Sequence, residues 1–80
     1  MVLKRLHPDT SLSKVDLAFW RRQPTEMIVK SLAPGNRDSL KVKMNGIIMD
    51  GNTRVKVLEE RGFAVDALPF EPYPQSENFL

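Results

Sequence analysis

The chain contains no cysteine, a single histidine and no long apolar run. Without cysteine, a disulfide framework, a thiolate nucleophile and a cysteine-ligated metal site are all excluded. No apolar run approaches the roughly 18 residues that cross a bilayer, so we expect a soluble, cytoplasmic protein with no membrane partner. The net charge of +2 permits phosphate binding but lacks the dense basic stripe typical of nucleic-acid binders.

The length of 80 residues allows one small domain. A chain of this size buries only about 60% of the surface that its unfolded form exposes, so its stability margin is small. The histidine, His7, stands beside Pro8 and far in sequence from every other polar residue singled out below. We therefore assign it no catalytic role, and we predict no metal ligands.

Helical periodicity predicts two short helices before residue 33. The first starts at Ser13, which is placed to cap it, and runs to about Gln23, because Pro24 resets the backbone. The second starts at Thr25 and is stopped by the segment APGN. We interpret Trp20 and its neighbour Phe19 as core or docking residues in preference to a stacking platform. The residues that share a broad apolar face in the first helix are Leu12, Val15, Ala18, Phe19 and Trp20, and those expected to face inward in the second are Met27, Ile28 and Leu32.

The pattern changes between residues 40 and 49, where apolar residues alternate with lysines. An Asn45-Gly46 pair flanked by such alternation is a strong signal for a β-hairpin, so two short antiparallel strands should meet there. The lysines would form a solvated face, with steering of an anionic ligand as the alternative. The alternating residues are Leu40, Val42 and Met44, with Lys41 and Lys43 between them.

A third helix is predicted from about Asn52 to Arg61. Asp50 or Asn52 is placed to cap it, and Gly62 stands where a left-handed residue should end it. Its first turn contains Arg54, although the start of a helix carries partial positive charge and a cation there costs a few tenths to about 1 kcal/mol. The residues expected to face the core are Val55, Val57 and Leu58.

Two interpretations of Arg54 follow from the residues. In the first, its guanidinium and the free N–H groups of the helix start form an anion site, which Gly51 lets a ligand approach closely. In the second, Arg54 extends past the edge of the core and forms an ion pair with Asp50, Asp38 or Glu26, and Gly51 serves only the turn. The sequence pattern leaves both open.

The remaining segments carry weaker signals. FAVDALPF, after the third helix, is expected to form a third strand or an extended cover, and EPYPQSENFL an extended tail. The expected organisation is an N-terminal helical extension over residues 1–24, a core over residues 25–70 and a tail over residues 71–80. The predicted fold class is α+β, with a short sheet that contains the hairpin.

The succession of helix, strand, NG turn, IIMDGNTR, helix and ERG resembles the ParB/sulfiredoxin superfamily, in particular its short ParB-like nuclease-domain members. The resemblance covers Thr25 to Pro69. In that family a strand leads into a Gly-x-x-Arg turn at a helix start, and the turn holds the phosphates of a nucleotide. The resemblance therefore implies binding of a nucleotide or a nucleic-acid phosphate, with a nucleoside triphosphate and Mg²⁺ as the implied ligand. The implied binding residues are Gly51, Asn52, Thr53 and Arg54, supported by Asp50.

The chain departs from this family at two positions. A sulfiredoxin needs a cysteine in the turn, where this chain has Asn52, so reduction of oxidised cysteine is excluded. A partition protein resembling ParB carries a glutamate and two arginines there, with a helix-turn-helix region and a dimerisation domain downstream. Here Asn52 and Thr53 replace the glutamate and the first arginine, and we do not expect this chain alone to partition chromosomes. Phosphoryl chemistry usually needs a metal ion or a positioned base, and Asp50 is the only carboxylate beside the turn. Hydrolase or nuclease activity is therefore left open without being predicted.

A second hypothesis comes from the aromatic residues near the two ends of the chain. They are more numerous than so small a core can easily use, and large aromatic side chains favour interfaces. This hypothesis predicts a non-catalytic interaction module, either a regulator or antitoxin-like partner of another protein or a homodimer. The aromatic residues concerned are Trp20, Phe70, Tyr73 and Phe79.

Overall fold

The computed structural model describes residues 2–5 and 12–73, which form three α-helices and a four-stranded mixed sheet. The predicted α+β class is confirmed. His7 and Phe79 lie outside the described residues. The elements in chain order are β1 (Lys4–Arg5), α1 (Lys14–Arg21), α2 (Thr25–Leu32), β2 (Lys41–Val42), β3 (Ile47–Asp50), α3 (Asn52–Glu60), a 3-10 helix (Val65–Ala67) and β4 (Glu71–Pro72).

The sheet has the strand order β1-β3-β2-β4. The predicted hairpin is confirmed, since β2 and β3 are antiparallel with Val42 opposite Ile48, and Gly46 in the turn has φ 90°. β1 runs parallel to β3, and β4 runs parallel to β2. Met44, the third of the alternating apolar residues, is 86% exposed, because it belongs to the turn beyond the last strand pair.

The lysines of the hairpin do not form the predicted solvated face. Lys41 is half-buried because its Nζ donates to the carbonyl of Arg37 (3.1 Å) and to the hydroxyl of Ser39 (3.2 Å). Lys43 is half-buried as well. The prediction failed because a long lysine side chain can fold back onto local acceptors instead of extending into water.

α1 begins at the predicted cap, where the Ser13 hydroxyl accepts a hydrogen bond from the Asp16 amide (3.2 Å). The predicted common apolar face of α1 is divided between the core and the surface. Leu12 and Leu17 are buried and Trp20 is half-buried against the core, but the outer face is exposed. The helix packs on α3 through the Leu17 side, so the opposite face looks outward. That outer face contains Val15, Ala18 and Phe19.

α2 has the predicted start and the predicted stop, and two of its three predicted core residues are fully buried, Ile28 and Leu32. Met27 is 52% exposed, contrary to prediction. It lies about 100° to one side of Ile28 around the helix, and the core extends to the other side, where Val29 packs.

α3 follows directly from β3 through Gly51, which is the N-cap residue with φ 106° and ψ 9°. The prediction that Asp50 or Asn52 caps the helix is wrong, because no side chain caps it and a left-handed glycine makes the turn. The end is as predicted, with Gly62 at φ 77°. The predicted core face is confirmed, since Val55, Val57 and Leu58 are all buried.

The segment after α3 forms a 3-10 turn instead of the expected third strand or extended cover. Its backbone hydrogen bonds are local, and it buries Val65 and Leu68 under the core. The chain then returns to the sheet, where Glu71 donates its N–H to the carbonyl of Leu40 (2.8 Å) and Tyr73 donates to Val42 (3.0 Å). Residues 71 and 72, which belong to the predicted tail, thus form β4 beside β2.

Within the described ranges, no helix is both long and apolar enough to cross a membrane. The fully buried centre of the domain lies between the sheet and the helices. It consists of Ile28, Leu32, Leu40, Val42, Ile48, Val55, Val57 and Leu58.

Candidate functional site

An open cavity of about 670 Å³ lies beside the start of α3. Its walls come from α1, α2, the loop of residues 33–39 and the junction between β3 and α3. The cavity is polar as well as apolar, with three aspartates and three basic residues along its walls. The lining residues are Asp16, Trp20, Met27, Lys30, Ser31, Asn36, Arg37, Asp38, Asp50, Gly51 and Arg54.

Arg54 is the most deeply buried charged residue of this wall, with only 8% of its surface exposed. Its Nη1 donates to the hydroxyl (3.1 Å) and the carbonyl (3.3 Å) of Ser31, and its Nη2 donates to the carbonyl of Asp38 (2.7 Å). The guanidinium also lies 5.5 Å from the centre of the Trp20 ring, within range of a cation–π interaction. Arg54 therefore joins the end of α2 and the 33–39 loop to the start of α3.

The charge of Arg54 is not neutralised by direct contact. The predicted alternative of an ion pair with Asp50, Asp38 or Glu26 is not seen, because Asp38 contributes its backbone carbonyl and none of the ion pairs among the described residues includes Arg54. Burial lowers the pKa of Arg54, and the more distant charges of Asp38 and Asp50 act against that shift. Neutral acceptors thus hold a buried cation at the wall of a cavity.

Gly51 is required at the junction for two reasons. Its φ of 106° lies in the left-handed region that favours glycine. A Cβ at this position would lie 3.0 Å from Cδ2 of Leu32 and 3.2 Å from Cδ1 of Leu40, closer than side chains normally pack. The missing side chain therefore lets β3 turn into α3 against the core and places the backbone at the cavity wall.

The other predicted site residues take different positions. Asp50 lines the cavity, and its Oδ2 lies 4.0 Å from Nζ of Lys41. Asn52 is buried on the sheet side, where its Nδ2 donates to the carbonyl of Ile48 (2.9 Å). Neither Asn52 nor Thr53 is among the residues that line the cavity. The structure thus brings Asp50, Gly51 and Arg54 to one wall, and it leaves the side chains of Asn52 and Thr53 off that wall.

Several lining residues were not predicted from the sequence as site residues. Lys30 at the end of α2 and Arg37 in the loop are both exposed cations of the cavity wall. Trp20 was predicted only as a core or docking residue. The signal that was available is the segment PGNRD, in which a basic residue follows turn-forming residues just before a strand.

No group of three or more histidine, cysteine, aspartate or glutamate side chains in the described part of the chain is arranged to hold a metal ion. A scan against family models, a search of curated proteins and a search of solved structures each found no match for the chain. The resemblance to the ParB/sulfiredoxin superfamily therefore stays a prediction.

Proposed function

We propose that this domain binds a phosphate-bearing ligand, either a nucleotide or a nucleic-acid phosphate, in the cavity beside α3. The observation that carries the proposal is Arg54, a buried guanidinium at a cavity wall that is held by neutral acceptors. The cytoplasm, where nucleotides are abundant, is the expected location.

The physical argument concerns the cost of a buried charge. A buried cation without a counter-ion is unfavourable, and an anion placed beside it recovers part of the lost solvation. Three hydrogen bonds to protein acceptors leave Arg54 with donor capacity, because a guanidinium carries about five N–H groups. Phosphate oxygens match that planar set of donors well.

The surroundings of Arg54 favour the same ligand class. The start of α3 has no side-chain cap, so its partial positive charge is not offset by a side chain of the first turn. Lys30 and Arg37 add two exposed cations to the wall. Asp16, Asp38 and Asp50 add three negative charges, so a Mg²⁺ complex of a triphosphate should be better tolerated than the bare polyanion. Catalysis is not part of this proposal.

Calorimetric titration with tripolyphosphate, ATP, CTP and GTP, each with and without Mg²⁺, tests the proposal. Arg37→Ala and Lys30→Ala are the useful variants, since both side chains are exposed and their loss should not disturb the core. Arg22→Ala and Lys14→Ala are matched controls, because they make the same charge changes at exposed positions outside the cavity.

We expect the cavity variants to bind several-fold more weakly and the controls to bind like the wild type. A parallel melting experiment should show stabilisation by about 2.7 kcal/mol at a ligand concentration of roughly 100 times Kd. If no ligand binds at millimolar concentration, or if the controls lose as much affinity as the cavity variants, the proposal is wrong.

A second candidate, the interaction module, is supported by the outer face of α1. Val15 is 78% exposed and Phe19 is 48% exposed, and the two lie one turn apart on the same face. The apparent surplus of aromatic residues near the chain ends supports this candidate less, because Trp20 and Phe70 pack against the core. Tyr73 is half-buried.

Sedimentation over a concentration series tests whether the outer face of α1 mediates self-association. Replacing Val15 and Phe19 together by serine should reduce association, whereas Met44→Ser, at the exposed hairpin tip, should not. A strict monomer at high concentration would eliminate the homodimer and leave only a different protein as partner.

A further inference from the structure

The loop of residues 33–39, which forms one wall of the cavity, is held from both sides. On the cavity side, Arg54 donates to the carbonyl of Asp38 (2.7 Å), and Nδ2 of the Asn36 side chain donates to the carbonyl of Lys30 (2.7 Å). On the far side, the Oε2 atom of Glu71 accepts from the backbone N–H of Gly35 (2.7 Å). The same oxygen accepts from the hydroxyl of Ser39 (2.7 Å).

Glu71 belongs to β4, so its carboxylate joins the last described strand to a loop more than 30 residues earlier. The facing charged group on β2 is Lys41, which donates to the Ser39 hydroxyl (3.2 Å) and lies 4.0 Å from Asp50 of β3. Ser39 is fully buried, so the hydroxyl that links Glu71 and Lys41 is shielded from water. These groups form one connected polar network.

We propose that Glu71 is a positioning residue for the cavity, which couples the docking of β4 on β2 to ligand binding through the 33–39 loop. The ligand half of this proposal rests on the function proposed above. The loop carries Arg37 and Asp38 into the cavity wall, so fixing its far side fixes where those groups stand. Because coupling between two binding events is reciprocal, a bound ligand must also hold β4 more firmly on β2.

The charge on Glu71 gives this coupling a pH dependence. The Gly35 N–H lowers the pKa of the carboxyl most, the Ser39 hydroxyl and the charge of Lys41 lower it further, and burial opposes them. A carboxyl whose pKa is lowered on folding stabilises the folded state fully above its unfolded pKa of about 4.3. That contribution is lost as the pH falls through the lower, folded value. The network is therefore complete at neutral pH and broken in acid.

Amide hydrogen exchange of the ligand-free protein tests whether the Glu71 carboxylate holds the 33–39 loop. In Glu71→Gln the amide of Gly35 should exchange about tenfold faster than in the wild type, because the charge-assisted bond is weakened. The Gly46 amide, which bonds to Lys43 in the distant hairpin turn, should be unchanged. Glu26→Gln, at an exposed glutamate of α2, is the matched control. The difference between Glu71→Gln and the wild type should disappear as the pH falls through the lowered, folded-state pKa of Glu71.

Titration with tripolyphosphate and Mg²⁺ tests the coupling. Glu71→Gln should weaken binding by at least about fivefold, and in the wild type the ligand should slow exchange of the Glu71 amide, which bonds to Leu40. If Glu71→Gln leaves Gly35 exchange unchanged, or speeds it without changing affinity, Glu71 does not position the cavity. If the wild type does not bind, the proposed function fails and the coupling fails with it. If the wild type binds and Glu71→Gln binds equally well, only the role of Glu71 is overturned and the proposed function stands.

Discussion

Helix α3 begins with a cation and ends with two anions, which is the reverse of the arrangement that a helix dipole favours. At the C-terminal end both anions have cationic partners. Arg21 of α1 donates from Nε (2.9 Å) and Nη2 (2.6 Å) to the two oxygens of Glu60, and Arg5 of β1 forms an ion pair with Glu59. At the N-terminal end Arg54 has only neutral acceptors among its hydrogen-bond partners.

The two arginines also respond oppositely to their surroundings. The hydrogen bonds that Arg21 donates to Glu60 raise the pKa of Arg21, whereas burial lowers the pKa of Arg54. One end of α3 is thus electrostatically compensated by the chain itself. The other end carries a buried charge beside a cavity, where an anion would be electrostatically favourable. The contrast suggests four measurements, ordered by the size of the expected effect.

The largest effect is expected for Arg54→Ala. The substitution removes three part-buried hydrogen bonds to Ser31 and Asp38 and the contact with the Trp20 ring, so we expect a loss of about 2–4 kcal/mol in the free energy of unfolding. Urea unfolding measures it. Arg22→Ala, at an exposed position, should stay close to the wild type. A variant of Arg54 as stable as the wild type would show that these three hydrogen bonds contribute nothing.

Gly51→Ala should come next, with a loss of about 1–3 kcal/mol. The φ of 106° strains any L side chain, and the new Cβ would crowd Leu32 at 3.0 Å. Gly35→Ala is a close control, because Gly35 has a similar φ of 93° but its Cβ would meet nothing within 4 Å among the described residues. Equal losses in the two variants would mean that the backbone conformation matters and that the close approach to Leu32 does not.

The sequence was informative wherever the signal was local. The cap at Ser13, the Asn45-Gly46 hairpin and the glycine that follows α3 are set by neighbouring residues, and all three were predicted correctly. Local signals could not tell which side of α1 or α2 faces inward, because that depends on where α3 packs. Met27 was therefore placed wrongly, and the common face predicted for α1 could not be divided into its buried and exposed parts.

The candidate site could be predicted only in part. Arg54 stood out because a cation at a helix start breaks a local rule. Gly51 stood out because a residue without a Cβ lets the turn tighten and a ligand approach the backbone. The partners of Arg54 are the hydroxyl and backbone carbonyl of Ser31 and the carbonyl of Asp38. Backbone carbonyls are present at every residue, so no pattern of residue types reveals them. The contacts of Glu71 with the 33–39 loop could not be predicted either, because they join residues more than 30 positions apart in the sequence.

A smaller effect is expected for Ser13→Ala, because α1 differs from α3 in having a side-chain cap. The Ser13 hydroxyl accepts from the Asp16 amide, and loss of such a cap costs about 1 kcal/mol. Ser13→Asp should restore most of the stability, since aspartate is also a good cap. Melting curves of both variants and the wild type measure these changes. An alanine variant as stable as the wild type would mean that water satisfies the N–H groups of the helix start equally well.

The smallest effect should come from the compensated end of α3. Glu60→Gln removes the charge that Arg21 contacts, but the pair is on the surface, where water and salt screen it and ordering two long side chains opposes it. Glu60 also lies 3.9 Å from Nζ of Lys56, so the single variant overstates the bond to Arg21. A cycle with Arg21→Met, Glu60→Gln and the double variant isolates their coupling. We expect that coupling to be smaller than the loss in Ser13→Ala and to fade in high salt. The loss in Arg54→Ala should persist in high salt, because the hydrogen bonds of Arg54 go to neutral acceptors. A salt-resistant coupling as large as the Arg54 effect would contradict the contrast drawn between the two ends, because surface pairing would then stabilise the fold as much as the buried guanidinium does.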